Sequence, residues 1–194
     1  IRKAYPTTPI HAFEPVSATF AILQAAATND AAATLHRIAF AQRAGRAMMH
    51  ARPGNTMNRI ITGPAGNPAI PVEEVEVATG DGFCAAHGID DIGILKIDTE
   101  GHDLEVLVGF HGMLAGRRIR YVEAECAVSP TNRMHVPFTR ISEFMFSLGY
   151  GLHGLFPGGT YRNGYNNLTT RKRDNGIWYG NAVFVAERWP EDAV

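Results

Sequence analysis

Within Ile94-Leu-Lys-Ile-Asp-Thr-Glu-Gly-His-Asp-Leu-Glu-Val-Leu (94–107), two carboxylates, Asp98 and Glu100, stand close to an imidazole, His102. Carboxylates this near each other push one pKa upward. Histidine can exchange protons near neutrality. Asp98 or Glu100 would raise the pKa of His102, and a helix N-terminus there would oppose the rise. Two further acids close apolar runs: Glu14 in Ile10-His-Ala-Phe-Glu-Pro15, and Glu125 at the end of Ile119–Glu125. A strand-end carboxylate such as Glu14 can accept two hydrogen bonds from the ribose hydroxyls of a nucleoside. Glu125 is a rival to His102 as a general base, and its neighbour Glu123 is expected to face the other way. Structural roles compete with these. Acids favour the start of a helix, so Asp98 and Glu100 could simply cap one. Asp98, Glu100, His102 and Glu125 together could also hold magnesium. No spacing among them demands a metal, and none is expected.

The elements that would carry these groups alternate between strand and helix. His11–Phe13 reads as a buried strand stopped by Glu14-Pro15, because proline cannot donate to a ladder. Val16–Thr28 is Ala-rich, with Phe20, Leu23 and Ala27 at helical spacing and Ser17 as its cap. Thr34–Phe40 is predicted as a strand that forms a hairpin with Arg46–Ala51 across Gly45. Residues 52–71 are rich in Pro and Gly and read as loop. Glu74–Ala78 alternates charged and apolar residues, as a half-exposed strand does. Asp81 is placed as the cap of a short helix ending near Gly88. Gly93–Asp98 is the central strand, and the helix after it shows Leu104, Leu107 and Val108 on one face. Thr139–Leu148 is an amphipathic helix stopped by Gly149. Tyr150–Leu155 and Trp178–Ala186 are late strands, with a polar surface loop over 157–176 between them. This order predicts an α/β fold with a mostly parallel sheet and an antiparallel last strand pair.

The bulk properties set outer bounds. The 194 residues suit one α/β domain, are 45% hydrophobic and 19% charged, and carry a net charge of -1. That balance gives no push toward nucleic acid or a membrane surface. Cys84 and Cys126 form neither a disulfide framework nor a metal motif, and they suit a reducing, cytoplasmic setting. No apolar run approaches the ~20 residues of a membrane span, and no signal-peptide pattern is visible. Oligomeric state is not written in the sequence.

Four segments in order resemble the FkbM-type family of S-adenosylmethionine-dependent methyltransferases: His11-Ala-Phe-Glu-Pro-Val16, the strand ending Ile38-Ala-Phe40 with Gly45, Leu95-Lys-Ile-Asp-Thr-Glu-Gly101, and Tyr121-Val-Glu-Ala-Glu125. Asn181-Ala-Val-Phe-Val185 looks like the family's last strand. The resemblance implies a Rossmann-like class I methyltransferase sheet, S-adenosylmethionine as cofactor, and O-methylation of a small-molecule, sugar or polyketide-like hydroxyl. In it Glu14 would hold the ribose. Pro15 and Val16 would border the adenine, with Ala39 and Phe40 on its other side, although Phe40 could equally be core. Asp98 would stand beside the reactive end of the cofactor. His102 or Glu125 would take the hydroxyl proton, and Glu100 and His153 would meet the acceptor. Two departures stand out. His102-Asp103 replaces the small residue and Glu that usually follow Glu-Gly. The family's glycine-rich turn and the strand before it are absent, which implies further chain upstream of residue 1. Two competing readings follow from the same strand ends: a catalytically silent binding module that keeps the nucleotide fold, and an NAD-dependent oxidoreductase. Arg171-Lys-Arg173 reads as a solvated loop, or else as a contact for a phosphorylated acceptor.

Overall fold

The computed structural model describes residues 5–55, 57–61, 69–160 and 177–187. The chain divides into two compact units, residues 1–78 and 79–194, and each is built around its own strands.

In the first unit, β1 (Ile10–Phe13) pairs in parallel with β2 (Ala33–His36). Between them lies α1 (Ser17–Ala26). The helix starts where the sequence placed it, but Ser17 does not cap it. Val16 is the N-cap, and the Ser17 amide and hydroxyl both donate to Glu73 Oε2, at 3.1 and 2.8 Å. A carboxylate reaching in from a strand thus serves the positive end of the helix. The run Thr34–Phe40 is two strands rather than one. After β2 the chain leaves its partner, and β3 (Ala39–Phe40) pairs in parallel with β5 (Val72–Ala78). The expected hairpin across Gly45 does not form: β4 (Gly45–His50) runs antiparallel to β5 instead. The alternation in β5 explains the preference. Val75 and Val77 are buried while Glu74 and Glu76 are exposed, and Arg46 of β4 meets Glu74 at 2.7 Å. Val16, Ala39, Ala41, Met49, Val75 and Val77 form the core of this unit.

The second unit has a four-stranded sheet of order β6-β7-β9-β8, made from β6 (Ile92–Ile97), β7 (Ile119–Ala127), β9 (Ile177–Ala186) and β8 (Tyr150–Thr160). β6 and β7 are parallel, whereas β9 is antiparallel to both β7 and β8. The late antiparallel pair is as expected. The mostly parallel sheet is not: the described strands form mixed sheets, with β4, β8 and β9 supplying the antiparallel pairings. β8 runs past Leu155 through Pro157, a residue an edge strand tolerates because its outer ladder is unpaired. Residues 161–176, with Arg171-Lys-Arg173, lie outside the described residues.

Among the described residues, four helices belong to this unit: α2 (Gly80–His87), α3 (Asp103–Gly109), α4 (His111–Ala115) and α5 (Phe138–Ser147). Thr79 caps α2, its hydroxyl accepting the Gly82 amide at 3.1 Å. Asp81 caps another helix instead: its carboxylate accepts the Gly112 and Met113 amides of α4 at 2.7 and 2.9 Å. Gly149 ends α5 with φ +78. Leu107, Leu114, Ile119, Ile141, Met145, Tyr150 and Phe184 are essentially inaccessible to solvent, and each large apolar side chain so buried contributes about 1.5–3 kcal/mol. Among the described residues no helix is long and apolar enough to cross a membrane.

Candidate active site

The site in the second unit follows from strand register. Ile97 of β6 is level with Ala124 of β7. The next residues, Asp98 and Glu125, therefore emerge side by side at the carboxyl ends of two parallel strands, where α/β folds bind ligands. The chain after β6 must turn sharply into α3. Glu100 takes a left-handed φ of +55 and Gly101 a φ of +102. Glycine is required at 101, because a Cβ there would run into the Met134 carbonyl oxygen. That close approach seats the Thr99–His102 turn against the loop that follows β7.

The loop, residues 128–137, doubles back on its own strand. Ala127 bridges to Pro137, and the Ala127 amide donates to the Val136 carbonyl at 2.8 Å. Asn132 holds it from within: its Oδ1 accepts the Met134 and His135 amides at 2.8 and 3.2 Å, and its Nδ2 donates to the Trp178 carbonyl at 3.2 Å. These bonds deliver His135 to Glu125. Imidazole Nε2 lies 2.9 Å from Glu125 Oε2 and 3.8 Å from Glu100 Oε2, an ion-pair approach in which Glu125 Oε2 has no hydrogen bond of good geometry. Its ring stacks on Tyr179, with centroids 4.9 Å apart. Glu125 and His135 are each only 8% exposed, so their charges interact through little water.

Electrostatics run toward protonation for Asp98, Glu100, Asp103 and His135. Burial raises the pKa of Glu100, and the Glu125 charge adds to the rise while His135 opposes it. Asp98 is raised by desolvation and by Glu125, with Lys96, at 3.6 Å, acting against them. Burial lifts Asp103 to about 6 despite the Thr99 hydroxyl that donates to it at 2.9 Å. For His135, burial lowers the pKa, but contact with Glu125 and the charges of Glu100 and Asp103 outweigh it and raise the value.

The residues expected from sequence divide. Glu100 and Glu125 come together, and Asp98, on the neighbouring strand end, feels the Glu125 charge while pairing with Lys96. His102 is the N-cap of α3, and its ion-pair partner is Glu105 at 3.9 Å, not Asp98 or Glu100. His153 is exposed and lies edge-on to Tyr121, four residues back along β7 from Glu125. Glu123, expected to face away, shares the Glu125 face by strand alternation and is held by Lys96 at 3.0 Å. The sequence reading missed His135 and Asn132. They sit in Ser129-Pro-Thr-Asn-Arg-Met-His135, a segment with no catalytic motif of its own.

A metal is a chemical possibility for Glu100, Glu125 and His135, whose ligand atoms lie within 4.8 Å of one another. The imidazole argues against it. A metal-bound histidine donates its other ring N–H to an acceptor, whereas here Nδ1 faces the Asn132 amide nitrogen at 2.9 Å, a donor.

In the first unit, Glu14 ends β1 with one carboxylate oxygen accepting the Val16 amide at 2.8 Å. Burial raises its pKa, opposed by that bond. Phe13 packs against both His36 and Phe40, with centroids 4.9 and 4.6 Å apart. Val16 is fully buried and Ala39 is 9% exposed, so both side chains serve the core. Pro15 and Phe40 are partly exposed.

The profile of the methyltransferase FkbM domain matches residues 3–152. The chain belongs to the FkbM methyltransferase family. A crystal structure of methyltransferase FkbM from Methylobacillus flagellatus KT is similar in fold, with a TM-score of 0.54 and 15% sequence identity. The similarity covers 92% of this chain and 36% of that one. No curated protein matches the chain. The FkbM membership accounts for the ordered acidic strand ends and supports a methyltransferase.

Proposed function

We propose that the chain transfers the methyl group of S-adenosylmethionine to a hydroxyl on a small-molecule, sugar or polyketide-like acceptor, with Glu125 receiving the hydroxyl proton. Family membership supports the methyl transfer. The observation that carries the choice of base is the buried Glu125 carboxylate, set at the end of β7 beside His135 and close to Glu100.

Groups of the first unit would suit the adenosine of such a donor. Glu14 is a half-buried strand-end carboxylate suited to ribose hydroxyls, and partly exposed Phe40 and Pro15 offer apolar surface to a purine. The sulfonium supplies an electrophilic methyl carbon. The acceptor oxygen attacks that carbon as the carbon–sulfur bond breaks, and S-adenosylhomocysteine leaves as a neutral thioether. The task of the protein is alignment and proton removal. Glu125 accepts the proton as oxygen becomes an ether. Glu100 and Asp98 supply further hydrogen-bond acceptors, so the cluster favours an acceptor that arrives with donor groups and disfavours an anionic one.

Calorimetry with S-adenosylhomocysteine and the full chain tests the donor assignment. Saturable binding is expected. A flat titration with folded protein would remove the proposal.

A further inference from the structure

Asn132 gives the His135–Glu125 contact a direction. Its Oδ1 already accepts two backbone amides, from Met134 and His135, so its amide orientation is fixed. One Nδ2 hydrogen goes to the Trp178 carbonyl, and the other points at His135 Nδ1 at 2.9 Å. Nδ1 must then be the acceptor nitrogen, and a neutral imidazole carries its single hydrogen on Nε2. That hydrogen lies on the carboxylate side, where Glu125 Oε2 and Glu100 Oε2 sit 2.9 and 3.8 Å away. Stacking on Tyr179 resists ring rotation. Protonation of the ring would set a second N–H against the Asn132 amide hydrogens.

We infer that His135 is a positioning residue, locked by Asn132 as the Nε2–H tautomer so that this N–H faces the carboxylates and leaves Glu125 as the base. This inference rests on the methyl transfer proposed above. It excludes two other roles for the same atoms. A ring whose free lone pair is already taken by Asn132 cannot accept the hydroxyl proton. A ring with hydrogen on Nε2 cannot ligate a metal there unless Asn132 turns over. Among the described residues, the charged groups facing His135 are Glu125 from β7, Asp98 and Glu100 from the turn after β6, and Asp103 from α3. All are acids, and they pull toward the imidazolium. The lock is therefore tested at alkaline pH, which favours the neutral ring.

Nitrogen-15 NMR of histidine-labelled full chain, titrated to alkaline pH until the His135 ring is neutral, reads the tautomer directly. The expected signals for His135 are a protonated Nε2 and an unprotonated Nδ1, unchanged on adding zinc chloride. A protonated Nδ1, or a zinc-dependent shift of Nε2, would overturn the lock. Kinetics separate positioning from proton transfer. Gln at 135 keeps an N–H donor but cannot cycle a proton, so His135→Gln should keep kcat within about tenfold. His135→Leu should lose about 100-fold in kcat, on the scale of a displaced general base, with KM little changed. Equal losses in the two variants would contradict positioning and favour His135 as the base. The NMR arm needs no turnover. A chain that moves no methyl group would sink the methyltransferase reading, while the tautomer would still stand or fall on its own signals.

Discussion

Replacing Asp103 with Asn should stabilise the protein at neutral pH. Asp103 is fully buried in the first turn of α3. Oδ2 accepts the Thr99 hydroxyl, and Oδ1 has no hydrogen bond of good geometry. Burial lifts the pKa from 3.8 to about 6, with the Thr99 bond opposing and the Glu125 and Asp98 charges adding. The folded chain therefore holds this proton more tightly than the unfolded chain. Ionised Asp103 costs nothing below pH 4 and its full penalty above pH 6, so stability falls as pH rises through that window. A shift of roughly two units at 1.36 kcal/mol each is about 3 kcal/mol. Asn can still accept from Thr99, but its amide brings an N–H with no partner, which costs about 1–2 kcal/mol. The net gain at pH 7 is then about 1–2 kcal/mol. Urea unfolding at intervals from pH 4 to 7.5, for wild type and variant, measures it. The difference between the two curves cancels the titration of Glu14 and isolates Asp103 together with the Asp98 and Glu100 charges coupled to it. The reasoning fails if the Asn variant is less stable at pH 7 and the difference stays flat across the range.

Gly101→Ala should cost about 2–4 kcal/mol, combining an unfavourable positive φ with a backbone collision at Met134; an unfolding midpoint equal to wild type would contradict it. Asp81→Ala should cost about 1 kcal/mol and speed hydrogen exchange at the Gly112 and Met113 amides, since it removes the cap of α4; unchanged exchange at both would argue against that role. Glu14→Ala should weaken S-adenosylhomocysteine binding by about 10- to 100-fold, the scale of hydrogen bonds to a charged acceptor. Calorimetry giving wild-type affinity would clear Glu14 of ribose binding.

The acidic strand ends were legible because each is local: an apolar run stops on a carboxylate, and the next helix starts within a few residues. Asp98, Glu100 and Glu125 were found this way. What failed was everything that depends on a distant partner. Arg46–Ala51 looks like half of a hairpin, but only the alternating valines and glutamates of β5 decide where it pairs. Ser17 and Asp81 have the right chemistry for caps, yet Glu73 and Thr79 occupy those roles and Asp81 serves α4. His135 sits in Ser129-Pro-Thr-Asn-Arg-Met-His, which reads as plain loop. Its return to Glu125 is set by the contact of Gly101 with Met134 and by the bonds Asn132 makes to its own loop and to Trp178, none of which has a local signature.

Transfer of a labelled methyl group gives the most direct test. The full chain is incubated with S-adenosylmethionine labelled in its methyl carbon and a panel of neutral hydroxylated acceptors, beside Glu125→Gln. The account predicts a labelled methyl ether from the wild type. The variant should bind S-adenosylhomocysteine normally and transfer at least about 100-fold more slowly. Label appearing on nitrogen or carbon, or a Glu125→Gln rate equal to wild type, would contradict it.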